Sequence, residues 1–180
     1  MPNQKHRYIL GIDPGNKQSA YCLVETDGLR PLVFEKTDNS EFIEKCVKAI
    51  IGFGDLSDTQ IVIENMESFG MSVGRSVLDT CIYIGELKMF FELSDMDVSY
   101  VFRHEEKMII CHSMKANDAT IKQALIDRFA PDTSNHGKGT KANKGFFYGF
   151  SKDVWSSFAQ CVTFHDREYG NDLHLEELPF

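Results

Sequence analysis

Tyr8-Ile9-Leu10-Gly11-Ile12-Asp13-Pro14-Gly15 is the stretch that decides how this chain folds. Tyr8 to Ile12 is an apolar run of strand length, and Pro14-Gly15 is a turn pair directly behind it. Asp13 is thereby delivered to the end of a buried strand. A carboxylate there is costly unless something pairs with it, such as a metal ion, a cationic side chain or a phosphate-handling site. A lone Asp before Pro-Gly is equally what a plain turn former looks like. The pattern recurs at Ile61-Val62-Ile63-Glu64, where the acid could also simply emerge into solvent. Asp153 opens a late helix, where an acid can serve the helix N-terminus alone. In this order along the chain, the three acids suggest convergence on divalent metal.

Around this strand the periodicity sets out the remaining elements. Residues 8–13 read as a first strand, 19–25 as a second behind Asn16-Lys17, and 32–36 as a third after Asp27-Gly28. Three successive strands on short turns predict an antiparallel meander. Asn39 or Ser40 caps a helix reaching about residue 51, with Phe42, Ile43, Cys46, Val47, Ile50 and Ile51 on its inward face. Residues 60–64 are almost wholly apolar, as a central parallel strand is. A helix is expected over about 72–93. Val73, Val77, Leu78, Cys81, Ile82, Ile84, Leu87, Phe90 and Phe91 make it apolar around most of its circumference, so it packs on the sheet and on a second surface, with another subunit as the expected partner. A fifth strand follows at 98–102 and a short helix at 105–111. A helix at 119–129 is capped by Asn117 or Asp118, and a last one, capped by Ser151, reaches about 167. Residues 131–150 read as a long loop, and the tail from 168 as frayed. The expectation is one α/β domain with its core at about 7–167. It has a mixed five-stranded sheet, three antiparallel strands then parallel ones, with helices on both faces.

The net charge of −8 and pI near 5.2 argue at first against a nucleic-acid partner. The distribution changes that. Between Arg103 and Lys152 there are nine Lys/Arg and five Asp/Glu, a local balance of +4 against −12 elsewhere. Such a face can bind DNA with strong salt sensitivity, although an ordinary soluble surface can be as uneven. No window approaches 18 apolar residues, and the N-terminus lacks the apolar region of a signal peptide, so a cytosolic protein is expected. The five cysteines are odd in number and widely spaced, which suits small core residues better than a disulfide framework or a zinc site.

Three motifs together resemble the RuvC-type Holliday junction resolvases, in the look of their phage or bacterial branch, within the ribonuclease H-like superfamily. They are Ile9 to Gly15; Ile63-Glu64-Asn65, followed by the helix carrying Ile84-Gly85-Glu86; and Ser151-Lys152-Asp153-Val154-Trp155-Ser156-Ser157-Phe158-Ala159. The resemblance spans about residues 7–167 and implies the ribonuclease H-like fold. It implies a crossover junction endodeoxyribonuclease that resolves four-way DNA junctions by paired nicks, as a homodimer, in the cytoplasm of a bacterium or phage-infected cell. It also implies two Mg²⁺ ions per site, with Mn²⁺ able to substitute. Two divalent ions about 4 Å apart can activate a water and stabilise a leaving oxygen. Asp13 would bridge the ions, Glu64 would hold one and Asp153 the other. The family's last helix carries two acids three residues apart, whereas here Ser156 follows Asp153 at that spacing. In a shifted register Asp153 matches the second acid and Phe150 stands at the first. Three carboxylates suffice in related enzymes, and Ser156 could hold a metal-bound water instead. Asp166 lies too far along the helix to substitute, and Asp118 reads as a cap.

The basic loop His136-Gly137-Lys138-Gly139-Thr140-Lys141-Ala142-Asn143-Lys144-Gly145 leads into Phe146-Phe147-Tyr148. Asp132 and Gly139 stand where a P-loop needs Gly and Ser/Thr. Mobile Lys138, Lys141 and Lys144 beside aromatics instead suit a DNA backbone, with Arg75, Arg103, Lys107 and Lys115 as further contacts; a solvated linker would look the same. Phe69 is either a core residue or, by the resemblance, a wedge at the strand-exchange point. Three other functions compete. A nuclease of the same fold could act on flaps, Y-forks or other branched DNA. An inactive relative would only bind DNA. Gly11 to Gly15 also looks like the first phosphate motif of actin-like ATPases, which need two such halves.

Overall fold

The computed structural model describes residues 6–67, 70 and 72–170. Strands β1 (Tyr8–Asp13), β2 (Gln18–Glu25) and β3 (Arg30–Asp38) form the expected antiparallel meander. On the other side of β1 lie β4 (Thr59–Asn65), parallel to it, and β5 (Val98–Phe102), parallel to β4. The order is β3-β2-β1-β4-β5, the mixed five-stranded sheet read from the sequence. Strand β3 is longer than expected. Its polar ends pair too, Arg30 with Glu25 and Asp38 with Gln18. Pro31 is tolerated because β3 is an edge strand.

The two-residue period divides the sheet into two apolar faces. Leu10, Ile12, Leu23, Ile61 and Ile63 point to one. It is covered by α1 (Asn39–Ile51), through Phe42, Cys46 and Ile50, and by α2 (Arg75–Leu93), through Ile84, Leu87 and Phe91. Ile9, Cys22, Val62 and Val101 point to the other face. There α5 (Lys152–Tyr169) lies against β1 and β2, backed by α3 (Arg103–Cys111) and α4 (Asp118–Phe129). Each fully buried side chain such as Phe158 or Phe91 contributes about 1.5–3 kcal/mol.

Gly11 sets how close α5 comes. A Cβ there would lie 2.1 Å from the Ser157 carbonyl oxygen and 2.6 Å from Cys161 Sγ. The helix therefore rests on the backbone of β1, one turn beyond Asp153. The turn behind Asp13 is also pinned. Gly15 N–H donates to Ser19 Oγ (3.1 Å), Ser19 Oγ donates to Asn39 Oδ1 (2.8 Å), and Asn39 Nδ2 donates to the Gly15 carbonyl (2.9 Å).

Four local expectations change. Ile51 is 62% exposed, because the inward stripe of α1 is Phe42, Cys46, Ala49 and Ile50, and Ile51 falls beyond its edge. Helix α2 starts at Arg75, with extended Gly74 before it. Helix α3 starts at Arg103, directly after β5, because the Glu105 carboxylate accepts from the Phe102 N–H at 2.8 Å and caps the turn. Residues 131–150 are tied down: Gly145 N–H donates to the Lys138 carbonyl (2.9 Å) and Phe147 N–H to that of Gly137 (3.0 Å), and Phe147 is fully buried against Trp155 and Phe158. Among the described residues no helix is long and apolar enough to cross a membrane.

Candidate active site

Asp13, Glu64 and Lys36 lie on one face of the sheet for one geometric reason. Asp13 shares the parity of Ile9 and Gly11, Glu64 that of Val62, and Lys36 that of Phe34, so all three point toward α5. The β1–β4 register, Ile12 opposite Ile63, sets Asp13 beside Glu64 one residue further on, at the strand spacing of about 4.8 Å. Ala20 pairs with both Asp13 and Lys36, which puts Lys36 two strands away in the same row. Asp153 enters from above, in the first turn of α5, and its Oδ2 lies 2.6 Å from Lys36 Nζ.

The fourth side of the site comes from β5 and α3. Arg103, the first residue of α3, is ion-paired with both Glu106 and Asp118. Glu106 is fully buried; Oε2 meets Arg103, and Oε1 has no hydrogen-bond partner among the described residues. Five carboxylates (Asp13, Glu64, Glu106, Asp118, Asp153) thus surround two cations (Arg103, Lys36), a formal excess of three negative charges.

That excess, with burial, raises the acids' proton affinity. Burial, then the charges of Glu64 and Asp153, then a hydrogen bond with Glu64 push Asp13 up to about 8, with Arg103 opposing. Burial and the charge of Glu106 push Glu64 up to about 7, again against Arg103. Burial pushes Glu106 up to about 6, its pairing with Arg103 opposing. Near neutral pH Asp13 and Glu64 therefore share a proton, as closely placed carboxylates do.

Among the described residues no group of three or more His, Cys, Asp or Glu side chains is gathered tightly enough to hold a metal ion as it stands; Lys36 retains Asp153. The donor set nonetheless suits a hard cation. Mg²⁺ keeps most of its waters and needs only one or two carboxylates besides substrate phosphate. Asp13 and Glu64, adjacent and short of counter-charge, fit that requirement.

Ser156 lines a cleft of about 310 Å³ together with Arg103, Glu106, Asp118, Lys138 and Trp155. Lys138 donates from Nζ to the Phe150 carbonyl at 2.9 Å, so it ties the loop down as well as facing the cleft. Lys141 is exposed near the loop's tip, and the ammonium of Lys144 lies 5.1 Å from the centroid of the Tyr148 ring. Arg75 is exposed at the start of α2, Lys107 partly buried on α3, and Lys115 exposed in the segment before α4. Phe69 lies outside the described residues. Asp118 is not the cap of α4: Asn117 accepts from Thr120 N–H at 3.1 Å, and Asp118 is left to meet Arg103. Asp166 is engaged by Arg128 and His165.

Two site residues, Lys36 and Glu106, escape a reading of the sequence. The register of β3 against Ala20 would have found Lys36. Starting α3 at Arg103 would have found Glu106, three residues on and one turn above it.

No protein-family model and no curated protein matches the chain. Solved structures do. RuvC from Thermus thermophilus, in complex with a Holliday junction substrate, superposes with a TM-score of 0.64 at 12% identity, over 92% of this chain and 98% of that one. A second T. thermophilus RuvC structure gives 0.65 at 11%, over 91% and 96%. The fowlpox virus resolvase, in complex with substrate Holliday junction DNA, gives 0.52 at 17%, over 89% and 97%. At these identities the likeness is one of fold: the chain has the ribonuclease H-like fold that RuvC has.

Proposed function

We propose that this chain is a metal-dependent endonuclease that resolves four-way DNA junctions by paired nicks. The observation that carries the reading is the meeting of Asp13, Glu64 and Asp153 at one end of the sheet, beside the cations Arg103 and Lys36. Adjacent, partly buried carboxylates with raised proton affinity cluster at reactive sites. The fold likeness to two proteins solved with junction DNA supports the choice of substrate.

Divalent ions, Mg²⁺ first and Mn²⁺ in its place, would supply an activated water and charge stabilisation at the leaving oxygen. Asp13 and Glu64 are the residues that would hold them, with Asp153 joining once Lys36 turns to phosphate. The proton that Asp13 and Glu64 share must leave before both can act as ligands, so cleavage should rise with pH through the neutral range. Arg103, held by Glu106 and Asp118, offers positive charge that is in place before reaction, and Lys36 offers it once it leaves Asp153. Water adds to phosphorus and gives up a proton to solvent, the bond to one ester oxygen breaks, and that oxygen leaves with a proton from solvent.

A two-fold junction calls for two sites related by two-fold symmetry. The outer stripe of α2, with Leu78 (52% exposed), Ile82 (63%) and Met89 (58%), is apolar and uncovered in the single chain, which suits a homodimer surface. Lys141, Lys144, Arg75, Lys107 and Lys115 are the proposed backbone contacts. The test is a denaturing-gel comparison of a mobile four-way junction, a flap and a linear duplex with Mg²⁺. Symmetric nicks on the junction in preference to the other two are expected. Preferential flap cleavage would overturn the junction assignment, and no cleavage of any would overturn the nuclease.

A further inference from the structure

The cleft beside the candidate site is cationic, and most of its positive charge is not spent. Its volume is about 310 Å³, and Arg103, Lys122, Lys138 and Lys152 line it against two acids, Glu106 and Asp118. Arg103 pairs with both acids. Among the described residues no acid pairs with the three lysines. Lys138 donates to the Phe150 carbonyl, Lys122 lies 5.1 Å from the centroid of the Trp155 ring, and Lys152 is exposed. None of these contacts removes an ammonium's charge, so the lining keeps a formal balance of +2. Two helix starts add to it. Asp118 and Ala119 open α4, Lys152 opens α5, and both starts line the cleft. The first amides of a helix lack intrahelical acceptors and favour an anion. Those of α5 are not satisfied by its cap, since the Ser151 side chain makes no capping hydrogen bond.

We infer that this cleft receives a terminal phosphate of a DNA strand, the phosphomonoester end that a nick creates beside it. The inference rests on the reading of the chain as a nuclease. Hydrolysis of a phosphodiester leaves one strand end as a hydroxyl and the other as a phosphomonoester. An internal diester carries one negative charge, whereas a monoester carries about 1.5 to 2 at neutral pH, which the balance of +2 matches. The cleft adjoins the carboxylates: Arg103 belongs to both, and Lys152 directly precedes Asp153. A fresh end has only to move from one to the other. Held there, the nicked strand stays on the protein until the second strand is cut, as paired nicking requires.

The test is fluorescence anisotropy in EDTA, where no strand is cut. The probes are a short labelled single strand with a phosphate at its 5′ end, at its 3′ end or at neither, and an intact four-way junction beside a linear duplex. Wild type should bind one of the phosphorylated strands about fivefold tighter, or more, than the hydroxyl-ended one, through charge-assisted hydrogen bonds. Lys122→Gln with Lys152→Gln should abolish that preference and change binding of the hydroxyl-ended strand little. No preference in wild type would overturn the inference. Equal weakening of all three strands by the double variant would also overturn it, since the lysines would then hold an internal phosphate. Inorganic phosphate should erase the preference only at millimolar concentration; erasure at micromolar concentration would assign the cleft to free phosphate and overturn the strand end. If the double variant does not fold, Lys152→Gln alone, at an exposed position, must reduce the preference, and an unchanged preference would overturn the inference. The junction separates the two levels. If wild type binds it no better than duplex, the junction reading fails and the inference falls with it; if wild type selects the junction but ignores the terminal phosphate, only the cleft is misassigned.

Discussion

Asp13 and Glu64 sit side by side because two parallel strands end in register, and this costs the protein stability when no cation is present. Their proton affinities in the folded state, about 8 and about 7, lie above the ordinary carboxylate values near 4. The folded protein therefore binds more protons than the unfolded chain between about pH 4 and pH 8, and stability falls as pH rises through that window. In EDTA the protein should melt at a higher temperature at pH 5.5 than at pH 8.5, and Asp13→Asn should flatten the difference. A melting temperature in EDTA that rises with pH would show the pair to be otherwise compensated. Gly11 acts at the same scale through sterics. Gly11→Ala drives a methyl into the Ser157 carbonyl and should cost about 1–3 kcal/mol, or several degrees of Tm, as overpacked positions do. Thermal unfolding monitored by circular dichroism measures this, and an unchanged Tm would mean that α5 yields freely.

The elements show how much of the site the sequence discloses. Asp13 and Glu64 were legible because an apolar run ending in an acid is a local signal, and strand parity carries it to a face. Asp153 was legible from the helix start after Ser151. Lys36 and Glu106 were not, because each depends on a register or a helix boundary fixed by partners far away in the chain. The loop at 131–150 misled for a related reason. Its glycines and lysines read as mobile, but Phe147 and Phe150 belong to the core, and the Lys138 ammonium closes the loop onto the Phe150 carbonyl. The three lysines therefore separate into two roles. Lys141→Ala with Lys144→Ala should weaken junction binding and lower its salt slope by about two without moving Tm. Lys138→Ala should lower Tm as well. Fluorescence anisotropy across a salt series, with melting in parallel, distinguishes them; an unchanged slope in the double variant would remove the loop tip from the DNA contacts. Helix α2 presents a similar division, with Ile84, Leu87 and Phe91 inward and Leu78, Ile82 and Met89 outward. Ile82→Glu should give a folded monomer by light scattering, if that outward stripe joins two copies.

At the scale of the whole molecule, the proposed function requires an acidic protein of net charge −8 to bring a phosphate backbone to a site that gathers several carboxylates. The fold manages part of this by sequence placement. The chain from Arg103 to Lys152, with its local excess of positive charge, contains α3, α4 and the pinned loop, which adjoin the site on the α5 face. Cations bound at Asp13 and Glu64 would do the rest, converting a repulsive corner into one that accepts phosphate. The ribonuclease H-like sheet was readable from the order of its strands and the alternation within them; the pairing of acids with Arg103 and Lys36 appears only once the chain is folded. The most direct test of the proposed catalytic site is single-turnover cleavage of a four-way junction with Mg²⁺ by wild type and by Asp13→Asn, with junction binding measured alongside. Asp13→Asn should bind the junction at least as well as wild type and fail to nick it. A variant that folds, binds and keeps more than about a tenth of the wild-type rate, a loss of under ~1.4 kcal/mol of barrier, would contradict the site.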